Sequence, residues 1–524
     1  MMTLRIRACH MTGDFVCRDN RPPAYSPHNP FPTPRFDYGK MVLPPSTYAQ
    51  EKAKFEERLP AARKFIVDNE LNEYFPGTDG SCGIILQGGT WGVVERALAR
   101  LGASDAYGRS RVPLLVLNVV HPLVPEQIAH FLRDKKSVLV VEEGNPAFIE
   151  DQVRAIVQSH GIACRVRGKD VLPEAGEYVG WVVRAGVAAY LAEDAPEEIA
   201  TTARRRNDAI VTAATEARAA ATATPMPPRP PGFCSGCPER PMFTALKLLM
   251  RERGPLHVSG DIGCHTFGTL PPFNIGNTVL GYGLASGGAV GPALGQPTIA
   301  IMGDGGFWHN GFATGAINAH WQGLDSVLII LENGYASATG QQHVPSTGST
   351  PLGQPIKVSI ESALRGIGVR RVNAYRVSDS LKTLREAMDA RGQGLRVIIS
   401  DQECMLAKKR RGDKDKAAAA AAGQPVRKAR YGVDEEVCTG DHSCMRLSGC
   451  PSSLTLRPTT DPIKDSPTAQ CDDTCVACNL CGEVAHAAQL CPSFYKGQGI
   501  ANPNPWQRLV HRVNARLLAM MGAS

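Results

Sequence analysis

The sequence predicts an α/β chain: two parallel-sheet domains followed by a cysteine-dense module. Three observations predict it. Short apolar runs alternate with amphipathic stretches from residue 51 to about 410. Two compositional breaks interrupt them, one Pro-rich (218–232) and one charged and then Ala-rich (411–430). Eight of the 16 cysteines fall between Cys438 and Cys491. Strands that alternate with helices build parallel sheets, because a parallel neighbour needs a crossover.

Composition bounds the class. At roughly 100–200 residues per domain, 524 residues make three or four domains. Hydrophobic residues at 43% and charged residues at 20% exclude a mostly disordered chain. No run of about 18 apolar residues is present, so no membrane-spanning helix is expected. The start, MMTLRIRACHMTGDFVCRDN, lacks an apolar core, which predicts no signal peptide and a cytoplasmic chain. Cysteines there stay reduced, so a disulfide scaffold is not expected. A formal charge of +7 on this length is too weak to argue for nucleic acid.

The elements follow in order. Residues 1–50 are Pro- and Asn-rich (RPPAYSPHNPFPTPRF) and read as an irregular segment. Glu51, Glu56 and Glu57 sit on a charged helix-like stretch and read as solvated. In 51–217, CGIILQGG, VPLLVLNVVHPLVP and KSVLVVEEG are buried strand runs. WGVVERALARLG and AFIEDQVRAIVQSHG have helical spacing. A Pro-rich linker (218–232) leads to a second α/β domain (233–410). The stretch 411–430 reads as a second linker, helical in part and not assigned one fixed conformation. Residues 431–500 form the cysteine module. Residues 501–524 (WQRLVHRVNARLLAMM) have the spacing of a docking helix.

TIAIMGDGGFWHNG places an apolar strand directly before Gly303, Asp304, Gly305 and Gly306. Glycines let backbone N–H groups approach an anion, and the following helix start adds its dipole. Asp304 offers a hard carboxylate suited to Mg²⁺. A second strand, DSVLIILEN, ends at Asn333, 29 residues further on. If the strands are parallel neighbours, Asp304, Asn333 and a carbonyl just after Asn333 can share one ion that holds a diphosphate. Ligands of open α/β sheets bind at this carboxyl edge.

This pair of signals resembles the thiamine diphosphate signature of transketolase-like enzymes. CSGCPERP (234–241), GDIGCHTFGTLPPF (260–273), GDGGFWHNG (303–311) and NGYASATGQQ (333–342) are more specific. Together they resemble the indolepyruvate:ferredoxin oxidoreductases, a branch of the 2-oxoacid:ferredoxin oxidoreductases. The resemblance runs from about 55 to 500. It implies a transketolase C-terminal-like domain at 51–217 and a thiamine diphosphate-binding domain at 233–410. It implies that Gly263, Cys264 and His265 line the cofactor pocket and that residues near Tyr335 and Thr339 close it. By family position Asp304, Asn333 and the Tyr335 carbonyl hold Mg²⁺.

The cysteine module carries two ligand blocks. Cys475, Cys478 and Cys481 are spaced by two residues, with Cys491-Pro492 beyond. Cys438, Asp441 and Cys444 repeat the spacing, with Cys450-Pro451 beyond. Two-cluster ferredoxins use such triplets, each completed by the other block's remote cysteine. That pattern gives one 4Fe-4S set of Cys438, Asp441, Cys444 and Cys491. It gives a second of Cys475, Cys478, Cys481 and Cys450. Asp441 stands where a cysteine is expected, and a carboxylate is a harder, weaker iron donor, so a labile iron is expected there. Cys471 is left over. Structural zinc prefers two well-spaced pairs, so it fits less well. Cys234 and Cys237 fit a tight turn better than a metal pair. Cys9, Cys17, Cys82, Cys164 and Cys404 read as packing or surface residues.

The resemblance implies oxidative decarboxylation of aryl pyruvates, chiefly indolepyruvate, with coenzyme A as co-substrate and ferredoxin as acceptor. Pyruvate or branched-chain oxoacids are the alternative substrates; a non-catalytic electron-transfer subunit is the alternative class. The family's activating Glu lies on a pyrimidine-binding domain, and no candidate for it stands in 1–50. A further chain or domain is therefore expected to supply that domain and the 2-oxoacid oxidoreductase domain, in an oligomer that holds neither membrane nor nucleic acid.

Overall fold

The computed structural model describes residues 35–520, apart from 106, 224–230, 277, 280–292, 294, 296–297, 374–375, 452–453 and 460. Most of the 1–50 segment therefore lies outside the described residues, as do Cys9 and Cys17. The chain divides into two compact units, 1–227 and 228–524.

In the first unit, helices α1 (Ser46–Ala53) and α2 (Leu59–Asp68) precede a five-stranded sheet. Its strands are β1 (Glu73–Phe75), β2 (Cys82–Gln87), β3 (Leu114–Leu117), β4 (Ser137–Val141) and β5 (Arg165–Arg167), in the order β1-β3-β2-β4-β5. All pairs are parallel except β1 with β3. The central strands are buried on both faces, which is why they read as unbroken apolar runs. Helices α3 (Trp91–Leu101), α4 (Pro125–Leu132), α5 (Phe148–Ser159) and α6 (Gly180–Asp194) belong to the same unit. Gly102, in the left-handed region, ends α3. Helix α7 (Glu197–Thr222) is longer than the sequence suggests. Its alanines carry the helix into the Pro-rich stretch, because alanine has the highest helix propensity. Glu51, Glu56 and Glu57 are exposed.

The second unit opens with helix α8 (Arg240–Arg253). Its six-stranded sheet holds β6 (Val258–Gly260), β7 (Thr278–Val279), β8 (Thr298–Gly303), β9 (Ser326–Glu332), β10 (Val369–Asn373) and β11 (Arg396–Asp401). The order is β10-β11-β9-β8-β6-β7, parallel throughout. Register pairs Gly303 with Leu331, so β8 and β9 end side by side. The helix after β8 starts at Asp304 and winds as a π-helix from Phe307 to Ile317. Helix α9 (Val377–Asp389) follows β10.

The stretch at 411–430, read as a linker with partial helix, is helical over its first half. It folds as helix α10 (Met405–Ala421) and the start of strand β12 (Val426–Val433). Its Lys, Arg and Ala residues are strong helix formers, and β12 pairs with a strand 60 residues later. That partner is β15 (Phe494–Ala501). Between them lie helix α11 (Ser443–Ser448), a hairpin of β13 (Leu454–Arg457) and β14 (Thr468–Cys471), and helix α12 (Leu480–Gln489). Cys438, Cys444 and Cys481 share a small core with Leu454, Ala469 and Ala485. The terminal helix α13 (Pro505–Met520) forms, but Trp506, Val513 and Leu517 on it are exposed, so the docking expected of it is not seen. Among the described residues no helix is long and apolar enough to cross a membrane.

Candidate active site

Strands β8 and β9 deliver two polar side chains to one sheet edge. Asp304 is fully buried. Its Oδ1 accepts the Gly305 amide (3.0 Å) and its Oδ2 the Gly334 amide (2.6 Å). Asn333 is also buried; its Oδ1 accepts the Tyr335 amide (3.2 Å) and the Ser337 hydroxyl (2.8 Å). The Tyr335 carbonyl accepts the same hydroxyl at 3.4 Å. Thr339 lies in an exposed turn, bonded to Gln342. The glycines serve close approach: a Cβ on Gly306 would collide with the Asp261 carboxylate, and one on Gly305 would stand 3.0 Å from Ala336.

Reading the sequence missed Glu239. It sits just before α8, is 2% exposed, and its Oε1 accepts Asn333 Nδ2 at 3.2 Å. Its other oxygen has no hydrogen-bond partner. Burial pushes its carboxyl up to about 8, helped by Asp304. Burial likewise pushes Asp304 up to about 7, with a further push from the Glu332 carboxylate and against the Gly334 and Gly305 amides. Two acids buried at one sheet edge are costly unless a cation joins them. Nothing local in CSGCPERP signals this role, because the contact spans 94 residues.

His265 is buried beside Gly303, and its Nε2 has no hydrogen-bond partner. Burial holds the imidazole below its usual pKa, against the pull of Asp261. Cys264 next to it is pushed up to about 12 by burial, then by Glu239, Cys234 and Cys404. Cys237 donates its amide to the Cys234 carbonyl at 3.0 Å, which is a tight turn. The thiols are not isolated, however. Cys237 feels Cys264, and Cys234 feels Cys404. The Cys404 amide is bonded to the Asn333 carbonyl at 2.9 Å. The Cys404 carbonyl accepts the Lys408 amide at 3.0 Å, as the first turn of α10.

In the cysteine module, Cys450, Cys471, Cys475, Cys478 and Cys481 line one cavity with Arg240. Burial, and then Cys481, Cys438, Asp441 and Cys491, push up the Cys444 thiol. The Asp441 carboxylate accepts the Ser443 amide at 3.0 Å and stands 3.5 Å from Arg446. Among the described residues no three His, Cys, Asp or Glu side chains stand close enough to grip an ion as placed.

Residues 261–399 match the family model for the C-terminal TPP-binding domain of thiamine pyrophosphate enzymes. Three curated relatives carry the name indolepyruvate oxidoreductase subunit IorA. The Archaeoglobus fulgidus protein is 31% identical over 461 residues, 86% of this chain and 65% of that one. Those of Thermococcus kodakarensis and Methanothermobacter marburgensis are each 28% identical, over 87% and 86% of this chain and 67% and 66% of theirs. The chain is similar to the IorA proteins. It spans about two thirds of the length of these IorA relatives. A 2-oxoglutarate:ferredoxin oxidoreductase from Magnetococcus marinus covers 33% of this chain and 65% of its own at 17% identity, with a TM-score of 0.29.

Proposed function

We propose that this chain is the cofactor- and cluster-bearing part of a 2-oxoacid:ferredoxin oxidoreductase. Its substrates are aryl pyruvates, chiefly indolepyruvate, and its products aryl-acetyl-CoA, CO₂ and reduced ferredoxin. Its observed basis is the pairing of Asp304 and Asn333, side by side at the carboxyl edge of β8 and β9. With Glu239 they form a buried, acid-rich group whose like charges call for a cation. Asp304, Asn333 and the Tyr335 carbonyl would hold Mg²⁺, and the amides after Gly303 would receive the diphosphate. Bound thiamine diphosphate supplies a nucleophilic carbon and an electron sink for decarboxylation. Glu239 orients Asn333 through its amide. Neutral His265, with a free ring nitrogen beside Gly303, lines the pocket with Gly263 and Cys264.

Oxidation must remove two electrons singly, which iron–sulfur clusters can do. Soft thiolate sets fit them. One cluster takes Cys438, Asp441, Cys444 and Cys491; another takes Cys475, Cys478, Cys481 and Cys450. A groove of about 1000 Å³ reaches Cys475 and is lined by Lys408, Lys409, Lys416, Arg427 and Lys428, which suits an acidic ferredoxin. A further chain or domain supplies the activating Glu and the 2-oxoacid oxidoreductase domain, in a cytoplasmic oligomer.

Calorimetric titration of thiamine diphosphate with Mg²⁺, with the missing domain added in trans, tests the reading. Saturable binding supports it; no binding favours a pure electron-transfer subunit. A substrate panel on the complete complex separates indolepyruvate from pyruvate and branched-chain oxoacids.

A further inference from the structure

Cys471 has no place in the two four-ligand sets, yet the fold puts it among them. Strand β14 ends at Cys471, and the hairpin register sets it opposite Leu454, four residues after Cys450. Both cysteines therefore reach the same cavity, where Cys475, Cys478 and Cys481 also point. The Cys471 thiol is the first cause, ahead of burial, that pushes the Cys481 thiol up. Five thiols line a space whose cubane offers four irons, one ligand each. An ordinary packing cysteine would sit among apolar side chains, away from other sulfurs.

We infer that Cys471 is an iron ligand of the second cluster, able to hold its fourth iron when Cys450 does not. The inference rests on the iron–sulfur reading above and names a fifth donor for that site. Two thiols then compete for one corner, so losing either leaves a complete thiolate set.

The test is iron content per chain, with EPR of the reduced protein, on the anaerobically purified full chain. Wild type, Cys450→Ser, Cys471→Ser and the double variant are compared. Fewer than about six irons in wild type would remove the cluster reading itself, since two cubanes hold about eight. With iron present, Cys450→Ser is expected to keep its iron and show altered g-values, while the double variant loses about four irons. Loss of about four irons from Cys450→Ser alone would overturn the inference. So would a double variant that keeps its full iron. Circular dichroism of each variant distinguishes cluster loss from failure to fold.

Discussion

The guanidinium of Arg240 donates a hydrogen bond to the Cys478 sulfur at 3.3 Å, across 238 residues of sequence. Arg240 is 1% exposed, and its second donor reaches the Ser448 carbonyl at 3.1 Å. One buried side chain thus joins the helix that follows Glu239 to both halves of the cysteine module. Hydrogen bonds and positive charge at a cluster sulfur favour the reduced, more negative state.

Arg240→Leu should therefore move the second cluster to a more negative potential, read by EPR-monitored redox titration. It should also cost about 1.5–3 kcal/mol, the range for hydrogen bonds to charged groups, read by denaturant unfolding. An unchanged potential would separate Arg240 from cluster tuning.

Stability should fall with pH in the metal-free protein. Asp304 rises from 3.8 to about 7 and Glu239 from 4.5 to about 8. Between those limits the folded state holds protons that the unfolded state has released, so raising the pH disfavours folding. Melting temperature should drop from about pH 5 to about pH 8. Mg²⁺ with thiamine diphosphate should flatten this slope, and their affinity should rise with pH, because binding displaces the protons. Glu239→Gln should reduce the slope in the metal-free protein.

Asp304→Asn should weaken Mg²⁺-dependent thiamine diphosphate binding more than Glu239→Gln. Changing a group that orients a metal ligand typically costs about 10–100-fold. Calorimetry on both variants checks the order; equal losses would make Glu239 a ligand in its own right.

Asp441 holds the Ser443 amide at the start of α11. Asp441→Cys should tighten the first cluster's iron while it loses that contact, worth about 1 kcal/mol by analogy with helix caps. Slower iron loss to a chelator, with a lower melting temperature for the iron-free chain, is the expected pair of results.

Reversing Lys408, Lys409 and Lys416 to Glu should raise the Kd for an acidic ferredoxin at least about tenfold, most strongly at low salt. Reduction of a small neutral dye should not change. Equal binding by both forms at low salt would place the docking face elsewhere.

The sequence by itself determined the parallel α/β architecture, because buried parallel strands must read as apolar runs. It also marked Asp304 and Asn333, since each directly follows such a run, and the cysteine triplets, since ligand spacing is local. What it could not carry was any pairing across distance. Glu239 met Asn333 and Arg240 met Cys478 only once α8 packed in the second unit, and Cys404 met Asn333 only once β11 paired with β9. Cys471 looked surplus until the β13–β14 hairpin folded it toward Cys481. The stretch at 411–430 looked like a linker because polar, Ala-rich sequence has no apolar period; helix propensity and the pairing of β12 with β15 decided its form. Strand pattern and ligand spacing are short-range properties of a chain, whereas the burial that perturbs an acid or gathers thiols belongs to tertiary packing.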